Sequence, residues 1–231
     1  MKESPDYEIV AVMMIVSVTL ISGISANVTA YIIIITGYAE ARMLSLSHEL
    51  DNIWKEAQDH YRTLTNFEIG KRKDEAKKQR ILNQYVSDRL KDIIAQHATL
   101  KLFYAKLKDE LKGILGIGLF LLIAGLLFNL LGGLRNTYMM VPFVFMQMAM
   151  DCFIGQKMKD AAVVFYRSVY ACGWENFEKS NMKMVLVMLQ NSQRITVLSA
   201  GGIMNVNYKC LMATMRGSYS SYAAFESSVN K

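Results

Sequence analysis

The side chains that most often carry out catalysis are few in this sequence, and their spacing fits no known reaction centre. The histidines His48, His60 and His97 have no cysteine at metal-ligand spacing and no HExxH pattern, and neither a P-loop nor a GxSxG turn is present. The three cysteines fit neither a disulfide framework nor a zinc site, and we expect buried or cytosolic free thiols at Cys152, Cys172 and Cys210. We therefore expect no enzyme, no cofactor and no metal ion.

Two basic residues near the C-terminus have a spacing that brings them together on a helix. Lys209 and Arg216 are seven positions apart, so they share one helix face. Either both side chains reach the aqueous boundary or pair with acidic groups, or their helix lines an aqueous path. Small residues between positions 217 and 224 favour close helix approach, which suits tight packing as well as a pore wall. Composition leaves both alternatives open.

These residues belong to a chain with the composition of a membrane protein. Apolar residues make up 52% of the sequence and the mean hydropathy is +0.18, although 26 residues are Lys or Arg. Residues 9–39 contain no charged side chain. Such a run exceeds the roughly 20 residues that cross a hydrocarbon core about 30 Å thick. It is too long for a signal peptide, and the residues before it are not net basic, so we predict a retained span.

The alternation of charged and uncharged segments predicts an all-α polytopic membrane protein with about four transmembrane helices and long cytoplasmic helical extensions. Charges are dense in residues 39–112 and 156–198, which are therefore expected to face water. The predicted spans are residues 9–38, 113–134, 137–155 and 199–225, with an extracellular loop remnant at 1–8 and an extracellular tail at 226–231.

The water-facing regions have helical patterns. Residues 41–67 and 76–112 each predict a helix, and the second has no stop signal before the span that follows it. We expect His97 to be a packed histidine and not a metal ligand, because it lies on an apolar stripe that needs a partner helix. The stripe recurs in steps of three and four residues, at Leu82, Val86, Leu90, Ile93, His97, Leu100, Tyr104, Leu107 and Leu111.

Shorter segments connect the remaining elements. A basic segment at residues 70–75 separates the first two cytoplasmic helices, and residues 132–136 predict a tight turn. Helices near residues 159–172 and 181–193 are expected to be broken at Gly173-Trp174.

The distribution of Lys and Arg predicts the orientation. About 15 of them fall in residues 40–112 and about six in residues 156–198, against Lys2, Arg135 and Lys231 on the other side. Cytoplasmic loops carry this excess in membrane proteins. Both charged regions are therefore predicted to be cytoplasmic, with both termini of the chain and the turn at Arg135 outside.

The C-terminal residues carry a more specific pattern. The run Arg216-Gly217-Ser218-Tyr219-Ser220-Ser221-Tyr222 resembles the basic-x-Ser-Tyr-Ser signature near the end of insect odorant receptors. Gustatory receptors of the same superfamily end in Thr-Tyr, five residues, Gln-Phe, whereas Phe225-Glu226 stands here, which favours the odorant branch. Other blocks resemble that family in order and spacing: residues 89–103, 151–156, 189–193 and 200–202, with Tyr170 and Trp174.

This resemblance implies a function. Odorant receptors have seven spans, and the chain resembles the fourth to the seventh, which implies a truncated receptor that lacks about three upstream helices. The resemblance further implies an odorant-gated, non-selective cation channel subunit in the plasma membrane, which acts in smell. Its expected partners are an odorant, the lipid bilayer and a shared co-receptor in a hetero-oligomer, a tetramer. No nucleic-acid partner is expected.

The resemblance also assigns residues to roles. The subunit contacts fall in residues 76–112 and 159–195, and the pore falls in residues 200–225. The gate is at Tyr222. Ser218 and Tyr219 lie one turn inward from it, and Glu226 lies at the mouth of the pore. Apolar and Met side chains suit a pocket for volatile apolar ligands. The implied ligand-binding residues are Met13, Met14, Ser17 and Val18 on the first span and Tyr138, Met139, Phe143 and Met146 on the third.

Three alternatives stay open: a gustatory receptor, a non-receptor membrane scaffold and a small transporter. A transporter favours inverted internal repeats, and no repeat is visible in the sequence. A scaffold has no need of the block at residues 218–222, so that block is the feature that discriminates between these functions.

Overall fold

A computed structural model of the 231-residue chain describes residues 6–67, 75–131, 140–195 and 197–229. By contacts the chain forms two units, residues 1–38 and residues 39–231. The described residues are almost entirely helical, which confirms the all-α fold. Their elements are α1 (Asp6–Phe67), α2 (Glu75–Leu131), α3 (Met140–Ala171), a 3-10 turn (Trp174–Asn176), α4 (Lys179–Ser192), β1 (Ser199–Ala200), β2 (Met204–Asn205) and α5 (Tyr208–Val229).

The N-terminal part of α1 exposes apolar side chains and satisfies its polar ones locally. Ser17 Oγ donates to the Met13 carbonyl at 2.7 Å, and Asn27 Nδ2 donates to the Gly23 carbonyl at 2.8 Å. A helix in hydrocarbon must satisfy its polar groups internally, and these bonds do so. The outward side chains include Ile9, Val10, Val12, Met13, Val16 and Leu20, all exposed.

The apolar stripe of α2 is buried along its whole predicted length, from Leu82 to Leu111, which confirms the pattern. Its neighbours are α3, whose Phe165 ring stacks on His97, and the part of α1 within residues 39–67, where a second apolar stripe is also buried. This part of α1 runs antiparallel to α2, and polar contacts join the two: Arg89 Nη2 lies 3.2 Å from Glu49 Oε2, and Arg42 donates to Gln96 at 3.2 Å. The buried residues of the α1 stripe are Met43, Leu46, Leu50, Ile53 and Ala57.

Helix α2 continues without a break to Leu131, as its lack of a stop signal predicted. Its outward residues are mostly charged up to Lys112, with Leu102 and Phe103 as exceptions, and apolar beyond Gly113, where Ile117, Phe120 and Phe128 are exposed. Within the described residues, Glu75–Phe128 is the one helical segment long and apolar enough to cross a membrane. The other predicted spans stay predictions. The predicted turn at residues 132–136 and residues 70–74 of the basic segment lie outside the described residues.

Helix α3 differs from its predicted extent. A span ending at residue 155 and a separate helix near residues 159–172 were expected, but one helix runs from Met140 to Ala171. The helix continues through Gly155. The absence of a side chain at this position leaves room for the carbonyl oxygen of Val206. Helix α3 is followed by Gly173, whose φ of 72° is the left-handed conformation common after a helix. The break predicted at Gly173-Trp174 is therefore confirmed.

Helix α4 begins where α2 supplies polar partners. The backbone N–H of Glu178 donates to Asn83 Oδ1 at 2.7 Å, and Asn181 Nδ2 donates to the Asn83 carbonyl at 2.9 Å. Asn83 and Asn181 are both buried. A buried amide is tolerated when it is hydrogen-bonded, and this pair fixes the first turn of α4 to the third turn of α2.

The predicted start of the last helix was wrong. A helix was expected from residue 199, but Ser199 pairs with Asn205 and Ala200 with Met204 in a short antiparallel hairpin. Gly201 and Gly202 turn the hairpin with φ of 61° and 78°, which other residues rarely adopt. Helix α5 begins at Tyr208, and the Asn207 side chain caps it by accepting the N–H of Cys210 at 3.0 Å.

The hairpin lies against two helices through glycines. The Gly201 N–H donates to the Lys112 carbonyl at 2.9 Å, and a Cβ on Gly116 would lie 2.7 Å from Gly201 N. On the other side, Gly155 of α3 faces Val206. Two glycines thus allow the backbone before α5 to pack directly on α2 and α3. The 22 residues of α5 form a helix about 33 Å long, which by length alone matches a hydrocarbon core about 30 Å thick.

We expect Gly155→Ala to lower the free energy of unfolding by about 1–3 kcal/mol, because the added methyl group meets the Val206 carbonyl and the backbone must shift. Thermal unfolding of the purified protein in detergent measures this. Gly118→Ala is the matched control, since nothing lies within 4 Å of a Cβ there. Equal stability of the two variants would show that the close approach at Gly155 is unimportant.

Candidate functional site

The residues expected to bind a ligand are described in part. Met13 and Ser17 are exposed on α1, and the side chains of Met14 and Val18 lie outside the described residues. Tyr138 and Met139 also lie outside them. Of the α3 candidates, Phe143 and Met146 are 56% and 70% exposed. The pocket itself stays a prediction.

Phe143 and Met146 belong to a longer apolar surface that sequence reasoning did not define. They are three positions apart in α3, and Met150 and Phe153 continue the same face with exposed side chains. Four exposed apolar side chains on one helix face suit contact with lipid, another helix or an apolar ligand. The helical spacing of these four residues in the sequence could have indicated this surface.

Helix α5 has two different faces. Cys210, Thr214 and Ser218 are buried at steps of four residues, where α5 packs against α2 and α3. The Thr214 hydroxyl donates to the Cys210 carbonyl at 2.9 Å. Ser218 Oγ is buried without a hydrogen-bonding partner among the described residues.

The opposite face of α5 is open and carries the basic residues. Lys209, Met212, Arg216 and Tyr219 are exposed and follow one another at steps of three or four. This confirms that Lys209 and Arg216 share a face. Neither forms an ion pair within the described part of the chain. Small residues also occupy this side of α5, at Ala213, Ser220 and Ala223.

The residues expected at the gate therefore lie on different sides of α5. Tyr219 is 73% exposed, whereas Ser218 is 5% exposed, since consecutive helical residues point about 100° apart. Tyr222 is half-buried, one turn beyond both. The side chain of Glu226 lies outside the described residues. Grouping Ser218 with Tyr219 on one pore-facing surface is not supported by these exposures.

Helix α4 exposes apolar side chains in a region predicted to be cytoplasmic. Leu186 is 65% and Val187 is 54% exposed, while Val185 and Met188 are buried on the inner face. Residues 76–112 of α2 were expected to take part in subunit contacts, and the apolar stripe in that range is buried within this chain. Exposed apolar side chains in the two ranges assigned to such contacts include Leu102 and Phe103 on α2 and Leu186 and Val187 on α4.

His97 is a packed histidine, as predicted. Its ring stacks on the Phe165 ring with centroids 4.4 Å apart, and 8% of the residue is exposed. Burial, together with a smaller effect of the Lys101 charge, lowers the pKa of His97 to about 4. The imidazole is therefore uncharged at neutral pH.

The three cysteines are free and buried, which confirms the prediction of free thiols. Burial raises the pKa of the Cys172 thiol to about 11, so it remains protonated and unreactive. Within the described residues, no cluster of three His, Cys, Asp or Glu side chains could hold a metal ion.

Comparison with known proteins identifies one family. The family model described as 7tm Odorant receptor matches residues 1–219, nearly the whole chain. A search of curated proteins gave no match.

We expect the protein to lose about 2 kcal/mol of unfolding free energy between about pH 7.5 and pH 5 because of His97. An unfolded histidine takes up a proton below about pH 6.5, whereas folded His97 does so only near pH 4, so acid favours the unfolded chain. Thermal unfolding in detergent across this range measures the loss. His97→Phe should abolish this part of the pH dependence, and His48→Gln, an exposed histidine, should retain it; the same slope in both variants would contradict the assignment.

Proposed function

Because the chain belongs to the 7tm odorant receptor family, we propose that it is an odorant-gated, non-selective cation channel subunit that acts with a co-receptor. Membership in the family makes it a membrane receptor of the odorant branch, and not one of the gustatory, scaffold or transporter alternatives. The channel activity, its gate and its partners are the proposal.

The observation that carries the channel proposal is the two-faced helix α5. Its inner face is buried against α2 and α3, while its outer face presents Lys209, Arg216 and Tyr219. A charged side chain at the centre of a hydrocarbon core costs about 2.5–3.5 kcal/mol on insertion scales. A water-filled path between several copies of α5 removes that cost. We therefore take the open face of α5 to line the pore.

The gate is assigned to the outer part of this helix. Of the residues named from the family signature, Tyr219 and Tyr222 are large enough to close a narrow path, and Tyr219 is the more exposed of the two. Ser218 is assigned to packing against the neighbouring helices. An aromatic constriction gates by excluding water as well as by blocking ions.

Assembly with the co-receptor is assigned to α4. Leu186 and Val187 are exposed side by side on its outer face, flanked by the polar residues Lys183 and Gln190. An apolar centre within a polar rim is the usual composition of a protein interface. The four-fold stoichiometry of the complex rests on the family resemblance.

Orientation and ligand complete the proposal. The exposed side chains of α2 change from charged to apolar near Gly113, which supports a membrane boundary there, with residues 75–112 in the cytoplasm and both chain termini outside. Phe143 and Met146 on α3 and Met13 and Ser17 on α1 are proposed to contact a volatile apolar odorant. The plasma membrane is the proposed location.

We expect Tyr219→Ala to raise the basal current several-fold when the chain and a co-receptor are expressed together in oocytes, since the substitution widens the proposed constriction. Voltage-clamp recording with a panel of volatile apolar odorants measures basal and evoked currents. Tyr222→Ala is tested in parallel. Tyr170→Ala is the matched control, an exposed tyrosine on α3 in the proposed cytoplasmic region. Currents unchanged in both α5 variants would remove the gate from this part of the helix.

We expect Leu186→Asp to reduce co-purification with the co-receptor several-fold, because a carboxylate at the centre of an apolar interface must lose its hydration. Leu64→Asp on α1 is the control, since Leu64 is also an exposed leucine, 45% against 65% for Leu186, and lies outside the ranges assigned to subunit contacts. Surface expression of each variant is measured in the same cells. Equal loss in the two variants, or no loss in Leu186→Asp, would place the interface elsewhere.

A further inference from the structure

A cavity lies where the end of α4 meets α2 and α3, in the region proposed to be cytoplasmic. Its inner volume is about 30 Å³, and it opens to solvent on one side. An oxyanion bound here would therefore lie mostly in the open mouth, with one oxygen directed inward. The residues important here are His97, Lys101 and Tyr104 of α2, Phe165 of α3, and Asn191 and Arg194 at the end of α4 and just beyond it.

The hydroxyl of Tyr104 is the unusual group in this cavity. Tyr104 is 3% exposed, and its hydroxyl has no hydrogen-bonding partner among the described residues. Native proteins seldom leave a buried hydroxyl unpaired, because burial removes the water that would otherwise bind it. Burial raises the pKa of Tyr104 well above its usual range, so the group remains a hydrogen-bond donor at neutral pH.

The other polar side chains that could reach a ligand are also donors. Lys101 Nζ makes one hydrogen bond, to the Asn191 carbonyl at 2.9 Å, which leaves two of its N–H groups free. Arg194 is exposed and forms no ion pair within the described part of the chain. None of the described residues that line the cavity is acidic. The nearby carboxylate of Glu40 is held by Lys157, with Nζ 3.3 Å from Oε1.

We propose that this cavity binds a phosphate group, with Tyr104 as the inner donor and Lys101 and Arg194 as the two cations at its mouth. Arginine and lysine are the common ligands of phosphate oxygens, and a hydroxyl group adds a hydrogen bond from a third direction. His97 remains uncharged beneath them and can donate one ring N–H. The ligand would connect α2 to the end of α4, and so would stabilise the helix that precedes the hairpin and α5.

Two sources share this chemistry, a soluble phosphate compound and the headgroup of a phosphoinositide. Tyr104 and Lys101 lie eight and eleven residues before Lys112, which places them about 12 and 17 Å below the proposed membrane boundary along α2. A soluble phosphate reaches that depth freely. A phosphorylated headgroup must extend from the bilayer to do so, and the experiment separates the two sources.

The test measures thermal unfolding of the purified chain in detergent, titrated with inorganic phosphate against sodium chloride at equal ionic strength. We expect phosphate to stabilise the protein, and Tyr104→Phe and Arg194→Gln to weaken the apparent affinity about tenfold each. Lys106→Gln is the matched control, since Lys106 is exposed on α2 and does not line the cavity. It should bind phosphate as the unmodified chain does.

A second arm uses lipid nanodiscs of phosphatidylcholine with or without phosphatidylinositol bisphosphate. If the phosphoinositide stabilises the chain in nanodiscs and Tyr104→Phe reduces that stabilisation, the site binds a headgroup. If only inorganic phosphate stabilises the chain, the site binds a soluble ligand. No stabilisation beyond chloride in either medium overturns the proposal. If phosphate stabilises Tyr104→Phe and Arg194→Gln as much as it stabilises the unmodified chain, the proposal is overturned too. Tyr104→Phe removes one unpaired hydroxyl and should fold normally; if Arg194→Gln does not fold, Lys101→Gln replaces it.

Discussion

The rest of the structure depends on the burial of the α2 stripe, whose helix lies beside α1 and packs on α3 and α4. Each fully buried leucine or isoleucine in such a seam contributes about 1.5–3 kcal/mol, and the stripe repeats over nearly thirty residues. The flanking pairs, Arg89 with Glu49 and Arg42 with Gln96, are more exposed and fix the register more than the stability. Helices α3 and α4 then pack against the same pair, and α5 is attached through the hairpin.

Helix α2 meets different surroundings along its length. Before Gly113 its outward side is mostly charged, although Leu102 is exposed; beyond it, Ile117, Phe120 and Phe128 are exposed. A soluble bundle would not expose such a run of large apolar residues, because their contact with water is unfavourable. Helix α2 therefore combines a buried apolar stripe in its first part with an exposed apolar surface in its second part.

Much of the fold could be predicted from the sequence because helical periodicity reports burial directly. The stripe from Leu82 to Leu111, the packed His97 and the break at Gly173 all follow from local spacing. The hairpin at residues 199–205 could not, because Gly201 and Gly202 look like small packing residues in a hydropathy window. The close approach at Gly155 also depends on Val206, about fifty positions away. The buried face of α5 is determined by its packing on α2 and α3. The signature alone therefore could not predict that Ser218 is buried and Tyr219 exposed. The cavity at Tyr104 needed three helices in place.

The hairpin before α5 has a mechanical consequence. Its Gly201 N–H is bound to the Lys112 carbonyl, at the point where α2 passes from charged to apolar surroundings, and Gly155 holds Val206 on the other side. The near end of α5 is therefore held against α2 and α3, while Tyr219 and Tyr222 lie eleven and fourteen residues beyond Tyr208. At about 1.5 Å per residue these separations are about 17 and 21 Å. A rotation of α5 about its near end would therefore displace the two tyrosines much further than the hairpin.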